Sequence, residues 1–515
     1  MCLIVCVTHF LKINLMMLQV ETYVLNPVYH FKSDEDRIVM YSKKQVSSFS
    51  SSDWVSFIHP MQAQILNVFA KKRAFGEQCK LLSLKYEISE EQISEMLVPY
   101  IENKNVIHTV FDGNKIYFPK NVLITLGNVE GFFKEDTNNV VQVDSNEVNL
   151  EQDRMHIAPQ SILLMLTNKC VTNCKYCYAD KNTKNIPMST GELLHLIDDA
   201  KRLKMSYIDV IGGEVFCRKD WDIIIKRIVD NGLMPNFIST KIPIDEETIK
   251  KLKSTGYNNV VQISLDSLDE QVLHTLIDAK VGYVSKMKQT VKNLVKYGFK
   301  VQFDTILTKL NANQSSLDEL FLFISGVSNL EYWEIRIPEV SIYTPETYKE
   351  IKASKSQLQD CIDYINDILR PKAQFKLFCS DNCFEEHLGE GKDCDKHFYG
   401  GKCIMLKQLA FVLPDGKVSA CEQLYWHPQF IIGDLKKQSI EEIWNSPKAW
   451  ELFNLGQSSF CKESACSHCK IFDFCNLENH RRCFVKVIKA YGKDKWDYPD
   501  PRCHYAPKVT SDLLY

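Results

Sequence analysis

Three cysteines within eight residues restrict the fold more than any other feature of this 515-residue chain. Cys170, Cys174 and Cys177 follow the short apolar run SILLMLTN (residues 161–168), whose composition predicts a β-strand. Three thiolates in one short loop can bind three irons of a four-iron cluster and leave the fourth iron accessible to a small molecule. A structural zinc site has four ligands, and the next cysteine, Cys217, is forty residues further on. The spacing therefore favours an iron–sulfur cluster at the end of a strand.

The same spacing, with Tyr176 immediately before the third cysteine, resembles the C-x3-C-x-aromatic-C motif of the radical S-adenosylmethionine (SAM) enzymes. In that family the motif follows the first strand of a partial (β/α) barrel. The resemblance implies that Cys170, Cys174 and Cys177 hold the catalytic four-iron cluster, with Tyr176 in the cofactor site. It also implies that the open iron binds the amine and carboxylate of SAM, which an electron cleaves to methionine and a 5′-deoxyadenosyl radical.

A second segment, SYIDVIGGEVF, ends a strand-like run with Gly212, Gly213 and Glu214. Glycine after a strand lets the backbone approach a ligand closely. The resemblance places the Glu214 carboxylate near the ammonium group of SAM. The family usually has proline after this glutamate, whereas this chain has Val215. On its own, Gly-Gly-Glu is also typical of a plain turn.

A third segment, VVQISLDSLDE (residues 260–270), places Ser264 and Asp266 on one side of a strand end. By the resemblance, this is where the family binds the ribose of SAM. Taken alone, the segment also fits an ordinary strand followed by a helix cap.

From residue 160 to about 340, strand-like runs alternate with helical patterns, which predicts βα units and a parallel sheet. The strand-like runs lie near residues 161–167, 207–211, 236–240, 259–265, 300–307 and 331–337. Six strands match the family's barrel, so the predicted fold class is α/β, with a partial (β/α)6 barrel. Cys170 and Glu214 fall at the carboxyl ends of strands, where barrel chemistry takes place. Three other residues fall at strand ends, where each could line the site or make a structural hydrogen bond: Ser239, Asp304 and Arg336.

A second group of cysteines, from residue 394 onward, resembles the SPASM extension of radical SAM enzymes, which binds one or two auxiliary four-iron clusters. The sequence FVLPDGKVSAC predicts a strand, a Pro-Asp-Gly turn and another strand. The resemblance assigns three cysteines to the first auxiliary cluster: Cys403, Cys421 and Cys483. It assigns four cysteines to the second: Cys466, Cys469, Cys475 and Cys503.

Cys483 departs from the family spacing, which would place that ligand at Asn479, so we expect a four-residue insertion here. We assign the fourth ligand of the first auxiliary cluster to Cys394, with Cys379 and Cys383 as alternatives. If none of them binds, that iron is open. Two four-cysteine zinc sites would use the same pairs of cysteines, and only the upstream motif favours iron over zinc.

The N-terminal part has the pattern of a small sheet followed by a winged helix. Residues 22–58 alternate apolar and polar side chains. Residues 60–118 predict three helices and a hairpin, with a turn at Asp112-Gly113. In peptide-maturing radical enzymes, a similar module captures a leader peptide by adding a strand to its sheet. A structural module and a DNA-binding domain are the alternatives, but the helix that starts after Ser89 is acidic, which disfavours DNA.

Composition narrows the class of protein. The net charge is −3 with no long basic block, so no nucleic-acid partner is expected. Polar residues interrupt the apolar residues 1–20, so we expect no membrane helix and no signal peptide, and a translation start near Met16 or Met17. The 19 cysteines indicate metal or cluster binding in a reducing bacterial cytoplasm rather than disulfides. Four cysteines are expected to be buried thiols without a ligand role: Cys79, Cys217, Cys361 and Cys461.

Together these patterns predict the domain organisation. The segments are residues 1–21 (an extra N-terminal segment), 22–118 (a hairpin with a winged-helix-like peptide-recognition module), 119–158 (a linker), 159–345 (the radical SAM partial barrel), 346–393 (a helical bridging segment) and 394–515 (the SPASM auxiliary iron–sulfur domain).

The resemblance implies a cytoplasmic peptide maturase that binds SAM, one catalytic four-iron cluster and one or two auxiliary clusters. Its substrate would be a ribosomally synthesised precursor peptide with a leader sequence, and its product a cross-link, with a thioether as the preferred bond. A flavodoxin or ferredoxin would donate electrons. The alternatives are oxidation of a protein residue, as in sulfatase-type formylglycine formation, and a cluster-based redox-sensing regulator that binds DNA.

Overall fold

The computed structural model describes residues 19–42, 54–111, 113–131, 133–135, 148–150, 153–338, 340–343, 345–379, 403–478 and 482–510. Almost all of the expected extra segment, residues 1–21, lies outside these ranges, as does Asp112 of the predicted hairpin turn. The chain divides into two compact units, Met1–Ile157 and Ala158–Tyr515. Among the described residues, every helix is too short or too polar to cross a lipid bilayer.

The described part of the first unit combines short antiparallel strands with three α-helices. Its strands are β1 (Tyr23–Leu25), β2 (Tyr29–Asp34), β3 (Arg37–Ser42), β4 (Val55–Ile58), β5 (Ile107–Phe111), β6 (Asn114–Phe118) and β7 (Leu123–Thr125). Its helices are α1 (Pro60–Asn67), α2 (Phe75–Tyr86) and α3 (Glu90–Leu97). Strands β2, β3 and β4 form an antiparallel sheet in that order, and β5 pairs with β6 as a hairpin. The predicted order of sheet, three helices and hairpin is therefore confirmed.

Local sequence explains where these helices begin. Ser89 accepts a hydrogen bond from the Gln92 backbone, and the Gln92 side chain accepts one from the Ser89 backbone, so a capping box starts α3 at the predicted position. Phe69, Phe75 and Phe118 are fully buried in the core that the helices share with the strands. Strand β7 lies inside the region predicted as a linker (119–158). It pairs antiparallel with β1, so this part of the predicted linker belongs to the strands of the first unit.

A buried ionic group ties the end of the first unit to its sheet. Asp34 and Arg37 are both fully buried at the β2–β3 turn, with 3.1 Å between Arg37 Nε and Asp34 Oδ2. The other oxygen of Asp34 accepts hydrogen bonds from the backbone N–H groups of His156 and Ile157, at 2.8 and 3.0 Å. One carboxylate therefore fixes both the turn and the last residues of the predicted linker.

Replacing Asp34 by alanine should destabilise this unit by about 3–5 kcal/mol, because the Arg37 guanidinium would stay buried without its carboxylate. Hydrogen exchange of the β2 and β3 amides measures this free energy. Glu91→Ala is the control, since Glu91 is exposed on α3, and a surface substitution should change the same amides by less than about 0.5 kcal/mol. Equal protection in the two variants would show that the buried pair contributes nothing.

The second unit is built on one large sheet. Its strands are β8 (Ser161–Met165), β9 (Tyr207–Ile211), β10 (Phe237–Thr240), β11 (Val260–Ser264), β12 (Lys300–Ile306), β13 (Leu330–Arg336), β14 (Lys376–Cys379), β15 (Leu409–Val412), β16 (Lys417–Ser419) and β17 (Ile431–Asp434). In the described part of the chain their order is β14-β13-β12-β11-β10-β9-β8-β15-β16-β17. Neighbours from β14 to β15 run parallel, and β16 and β17 are antiparallel. The six predicted strands are β8 to β13, in chain order.

Helices follow these strands as the alternating pattern predicts. They are α4 (Thr190–Arg202), α5 (Trp221–Asp230), α6 (Glu246–Ser254), α7 (Glu270–Ile277), α8 (Tyr283–Lys296), α9 (Gln314–Ser325), α10 (Pro345–Lys349), α11 (Lys355–Tyr364), α12 (Ile440–Trp444), α13 (Pro447–Phe453) and α14 (Phe484–Tyr491). Helix α4 starts with a capping box at Ser189 and buries Leu193, Leu196 and Ile197 on one face. Amphipathic helices of this kind cover a parallel sheet whose strands are buried on both faces.

The sheet is longer than the six strands that the sequence predicts. Strand β14 comes from the region predicted as a helical bridging segment (346–393), and it pairs in parallel with β13. Strand β15, from the cysteine-rich region, pairs in parallel with β8, with Leu164 opposite Val412. The predicted turn Pro414-Asp415-Gly416 then joins β15 to β16. The region beyond residue 394 therefore belongs in part to the barrel sheet.

Candidate active site and metal centres

The loop that carries Cys170, Cys174 and Cys177 follows β8, which ends at Met165. Cys170 is exposed, whereas Cys174 and Cys177 are partly covered. Thr172 Oγ1 lies 3.1 Å from Cys170 Sγ and 3.5 Å from Cys174 Sγ. The N–H groups of Asn173 and Lys175 donate to carbonyls at the end of α7, at 3.0 and 2.9 Å. The structure thus places the three thiols on one loop, and two backbone hydrogen bonds fix that loop to the end of α7.

Gly212 and Gly213 lie where two stretches of backbone touch. The Gly213 N–H donates to the Thr167 carbonyl at 2.7 Å, and the Glu214 N–H donates to the Lys169 carbonyl at 2.8 Å. A Cβ on Gly213 would lie 2.3 Å from the Lys169 oxygen, and one on Gly212 would lie 2.9 Å from the Thr167 oxygen. That these glycines approach a ligand stays a prediction. In this structure they let the β9 loop pack against the base of the cysteine loop.

Glu214 is 2% exposed, and hydrogen-bond donors surround its carboxyl group. Its Oε2 accepts hydrogen bonds from the Thr240 hydroxyl and the Lys241 N–H, both at 3.1 Å, and its Oε1 accepts one from the Phe216 N–H at 3.3 Å. Burial raises the pKa of Glu214 to about 7, although these hydrogen bonds act in the opposite direction. The carboxyl therefore changes charge readily near neutral pH.

Asp266 is completely buried and bonded within the protein. Its Oδ2 accepts hydrogen bonds from the Tyr176 hydroxyl and, at 2.9 Å, from Lys241 Nζ. Its Oδ1 accepts one from the Ile306 N–H at 3.0 Å. The contact between Asp266 and the SAM ribose stays a prediction. In this structure the buried carboxylate orients Tyr176 and Lys241.

Sequence reasoning missed Lys241. Its ammonium pairs with Asp266 and lies 5.2 Å from the centre of the Tyr176 ring. Burial alone would lower the pKa of Lys241, but the charges of Asp266 and Cys174 raise it above its ordinary value. Burial in turn raises the pKa of the Cys174 thiol, and Lys241 opposes that effect. A positive charge beside the cysteine loop thus stabilises a thiolate at Cys174. The position of Lys241, just after β10, was the signal that could have found it.

The remaining strand-end residues form a polar layer on β11, β12 and β13. Strand register places Ser264 beside Asp304, and Asp304 beside Glu334. Ser264 Oγ accepts a hydrogen bond from Gln262 at 3.0 Å. Arg336 lies 3.0 Å from Asp304 and 2.7 Å from Glu334. Ser264 keeps a partly exposed hydroxyl on this layer, and the predicted residues Asp304 and Arg336 are joined there as an ion pair.

Four cysteines in the C-terminal region line a single cavity: Cys466, Cys469, Cys475 and Cys503. Phe472, Asn476 and Arg482 line the same cavity. Burial raises the pKa of the Cys503 thiol to about 12, and the other three cysteines contribute to that rise. These four are the cysteines that the resemblance assigns to the second auxiliary cluster.

A second group of thiols interacts apart from these four. The charge of Cys483 acts on both Cys403 and Cys421, so the three side chains are neighbours. Burial raises the pKa of both Cys403 and Cys421. Cys379 ends β14, and the assigned fourth ligand Cys394 lies outside the described residues, as does the alternative Cys383.

Of the four cysteines expected to be buried thiols, the structure supports Cys79 and Cys361. Both are buried. Cys217 and Cys461 are partly exposed, so that expectation is wrong for them. Cys217 also lies close enough to Cys170 and Glu214 for their charges to raise the pKa of its thiol beyond the effect of burial.

The donor sets fit iron–sulfur clusters, because grouped cysteine thiolates are the ligands of such clusters. The three groups are Cys170, Cys174 and Cys177 on one loop, Cys403, Cys421 and Cys483 in the second group, and the four that line the cavity. Within the described ranges, no three His, Cys, Asp or Glu side chains are grouped closely enough to hold a single metal ion. The cysteine groups named above would instead hold the several irons of a cluster.

Comparison with protein families agrees with this division. Residues 164–324 match the Radical SAM superfamily, and residues 403–470 match the SPASM family, an iron–sulfur cluster-binding domain. The first match brings SAM and a four-iron cluster as cofactors, and the second brings auxiliary iron–sulfur clusters. The second match also resolves the choice between iron and zinc in favour of iron.

Individual relatives are distant. The chain is 23% identical to the mycofactocin maturase MftC of Mycobacterium tuberculosis over 350 residues, which are 67% of this chain and 83% of that protein. It is 25% identical to the PqqA peptide cyclase of Granulibacter bethesdensis over 155 residues, which are 30% of this chain and only 41% of that protein.

A solved structure covers more of the chain. SuiB of Streptococcus suis, bound to the precursor peptide SuiA, aligns with 93% of this chain and 98% of its own, with a TM-score of 0.59 and 13% identity. At this identity the likeness shows the fold, including the region before the barrel. The predicted α/β architecture with an N-terminal module and a C-terminal SPASM region is therefore confirmed.

Gly213→Ala should weaken SAM binding at least tenfold, since its Cβ would displace the Lys169 carbonyl and overpacking costs about 1–3 kcal/mol. Equilibrium dialysis of the cluster-loaded protein with labelled SAM measures this affinity. Gly191→Ala is the matched control, because a Cβ there meets nothing within 4 Å. Equal affinities in the two variants would mean that the β9 loop does not position the cysteine loop.

Proposed function

We propose that this chain, a radical SAM enzyme of the SPASM subfamily, modifies a ribosomally synthesised precursor peptide and installs a cross-link in it. The observation that carries the proposal is the combination of a three-cysteine loop at the end of β8, two further cysteine groups and a separate N-terminal unit. The names of the relatives support it: one is a peptide cyclase, one a maturase, and the SuiB structure holds a precursor peptide.

In this proposal Cys170, Cys174 and Cys177 hold the catalytic cluster. Glu214 binds the amine of SAM, and Ser264 and Asp266 bind its ribose. When bound, SAM and the clusters supply a carbon-centred radical that removes a hydrogen atom, and an acceptor for the electron that the product must lose. Electrons reach the protein from a donor of the flavodoxin or ferredoxin class.

The chain itself supplies orientation and charge. Asp266 holds the Tyr176 hydroxyl and the Lys241 ammonium in place, and Lys241 keeps a positive charge beside Cys174. Gly213 fixes the base of the cysteine loop. The layer formed by Asp304, Glu334 and Arg336 offers polar groups of both signs to a peptide at the strand ends. Substrate groups held in such a layer are positioned for reaction before the radical forms.

The auxiliary groups are assigned as the sequence suggests. Cys403, Cys421 and Cys483, with Cys394, hold the first cluster, and Cys466, Cys469, Cys475 and Cys503 hold the second. A thioether forms when a C–H bond and an S–H bond are replaced by a C–S bond, so the peptide loses two electrons and two protons. Grouped auxiliary thiolates suit this oxidation, because an iron–sulfur cluster accepts one electron at a time.

The N-terminal unit is proposed to bind the leader of the peptide. Strand β4 lies at one edge of the described β2-β3-β4 sheet, and an edge strand can pair with an added peptide strand. Tethering the leader there raises the effective concentration of the peptide near the site. The exposed face of α3 carries Glu90, Glu91 and Glu95, which would repel the phosphates of DNA.

The direct test incubates the reconstituted enzyme with SAM, a reductant and short peptides encoded beside its gene. A cross-linked product should be lighter by two hydrogens per bond, and a peptide without its leader should react much more slowly. Cys174→Ser should abolish both 5′-deoxyadenosine and product, because the catalytic cluster loses a ligand.

Cys361→Ser is the matched control, since Cys361 is a buried thiol in α11. It should retain activity. Cleavage of SAM that survives in Cys174→Ser would contradict the catalytic assignment. Release of 5′-deoxyadenosine without any mass change in these peptides would contradict cross-linking.

A further inference from the structure

Arg482 lies between the two auxiliary cysteine groups. Its side chain lines the cavity that contains Cys466, Cys469, Cys475 and Cys503. It also lines a second cavity, which Cys403 lines as well, and the next residue in the chain is Cys483. One guanidinium therefore borders the proposed sites of both auxiliary clusters.

The Arg482 side chain is held rigidly but is not neutralised. It is only 5% exposed, and its Cζ lies 4.3 Å from the centre of the Phe460 ring and 4.4 Å from that of Phe484. Nη1 donates to the Tyr498 carbonyl at 3.1 Å. Nε and Nη2 are buried without a hydrogen-bond partner among the described residues.

The nearby carboxylates are committed to other groups. Asp500 pairs with Arg502 at 2.8 Å and accepts a hydrogen bond from the Cys483 N–H at 3.0 Å. Asp497 accepts one from the Cys461 N–H at 2.8 Å. A buried guanidinium with two unpaired donors is strongly destabilising unless an acceptor is bound beside it. The thiolates that line the same cavity, and the sulfides they would hold, are acceptors of opposite charge.

We propose that Arg482 donates its Nε–H and Nη2–H to sulfur atoms of the second auxiliary cluster and thereby raises that cluster's reduction potential. Hydrogen bonds to the sulfurs and the net charge of the surroundings set the potential of an iron–sulfur cluster. A cation in a buried site stabilises the reduced cluster, which carries one more negative charge, and the low local dielectric strengthens this effect. The proposal rests on the cysteine assignment of the proposed function.

The consequence concerns the direction of electron flow. The oxidised cluster gains one electron when it takes it from the peptide, and the reduced cluster loses that electron on reoxidation, with no change of ligands. A higher potential at the second cluster makes it the favoured location for an electron that has left the peptide. Arg482 is thus a positioning and tuning residue, and it has no direct contact with the substrate in this role.

The test is a redox titration followed by electron paramagnetic resonance in a Cys170→Ala/Cys174→Ala/Cys177→Ala background, which retains only auxiliary clusters. Arg482→Gln removes the charge and should lower the potential of the second cluster by at least 59 mV, which is a tenfold change in its one-electron reduction equilibrium. Arg482→Lys keeps the charge but loses the planar fork, so it should cause a smaller shift. The cluster in question is identified as the one whose signal disappears in Cys469→Ala.

Arg227→Gln is the matched control, because Arg227 is a half-exposed arginine on α5 that pairs with Asp198. It should leave both potentials unchanged. If Arg482→Gln no longer holds the second cluster, Arg482→Lys decides: a shift of its potential supports the proposal, and an unchanged potential overturns it. A triple-alanine protein without any iron would refute the cysteine assignment instead, and with it the auxiliary clusters of the proposed function.

Discussion

The pairing of β8 with a strand on each side is the constraint on which the rest of the second unit depends. Leu164 lies opposite Val210 of β9 and Val412 of β15, and all three strands run parallel. Parallel strands bring their carboxyl ends to one edge, so the loop with Cys170 and the turn after β15 meet there. The Met188 N–H donates to the Pro414 carbonyl at 2.7 Å, and the rings of Tyr178 and Tyr425 lie 6.2 Å apart. Two regions far apart in sequence thus meet at one edge of the sheet.

The charged side chains near that edge are held in place by contacts within the protein. Glu214 and Asp266 are both buried, but their partners differ: Glu214 accepts mainly backbone hydrogen bonds, and Asp266 faces the Lys241 ammonium. Burial therefore raises the pKa of Glu214, whereas Asp266 is matched by a full positive charge. The same contrast separates Arg502, which is paired with Asp500, from Arg482, two of whose donors have no partner among the described residues. Asp266 and Arg502 are thus paired with an opposite charge within the protein, whereas Glu214 and Arg482 are not paired in this way among the described residues.

Much of the fold could be predicted from sequence, because β8 to β13 alternate with amphipathic helices. In each element the apolar residues recur at the spacing of a strand or of a helix. Strands β14 and β15 could not be predicted as barrel neighbours, since their partners lie far away in the chain and only packing selects them. The grouping of Cys170, Cys174 and Cys177 was visible in their spacing, and the family resemblance implied their catalytic role. Lys241 and Arg482 could not be found in this way, because a single cation has no sequence pattern and its role arises from the buried groups around it. For the same reason, the sequence places Asp266 just after β11 but does not show that its carboxylate is buried against Tyr176 and Lys241.

The central claim is that three separate cysteine groups hold three iron–sulfur clusters. Iron and sulfide analysis with Mössbauer spectroscopy of the anaerobically reconstituted protein tests it most directly. Cysteine groups of this kind should give about twelve irons per chain. In the Cys170→Ala/Cys174→Ala/Cys177→Ala variant, the loss of one four-iron cluster should leave about eight. A wild-type protein with only about four irons, or a triple variant with as much iron as the wild type, would contradict the account.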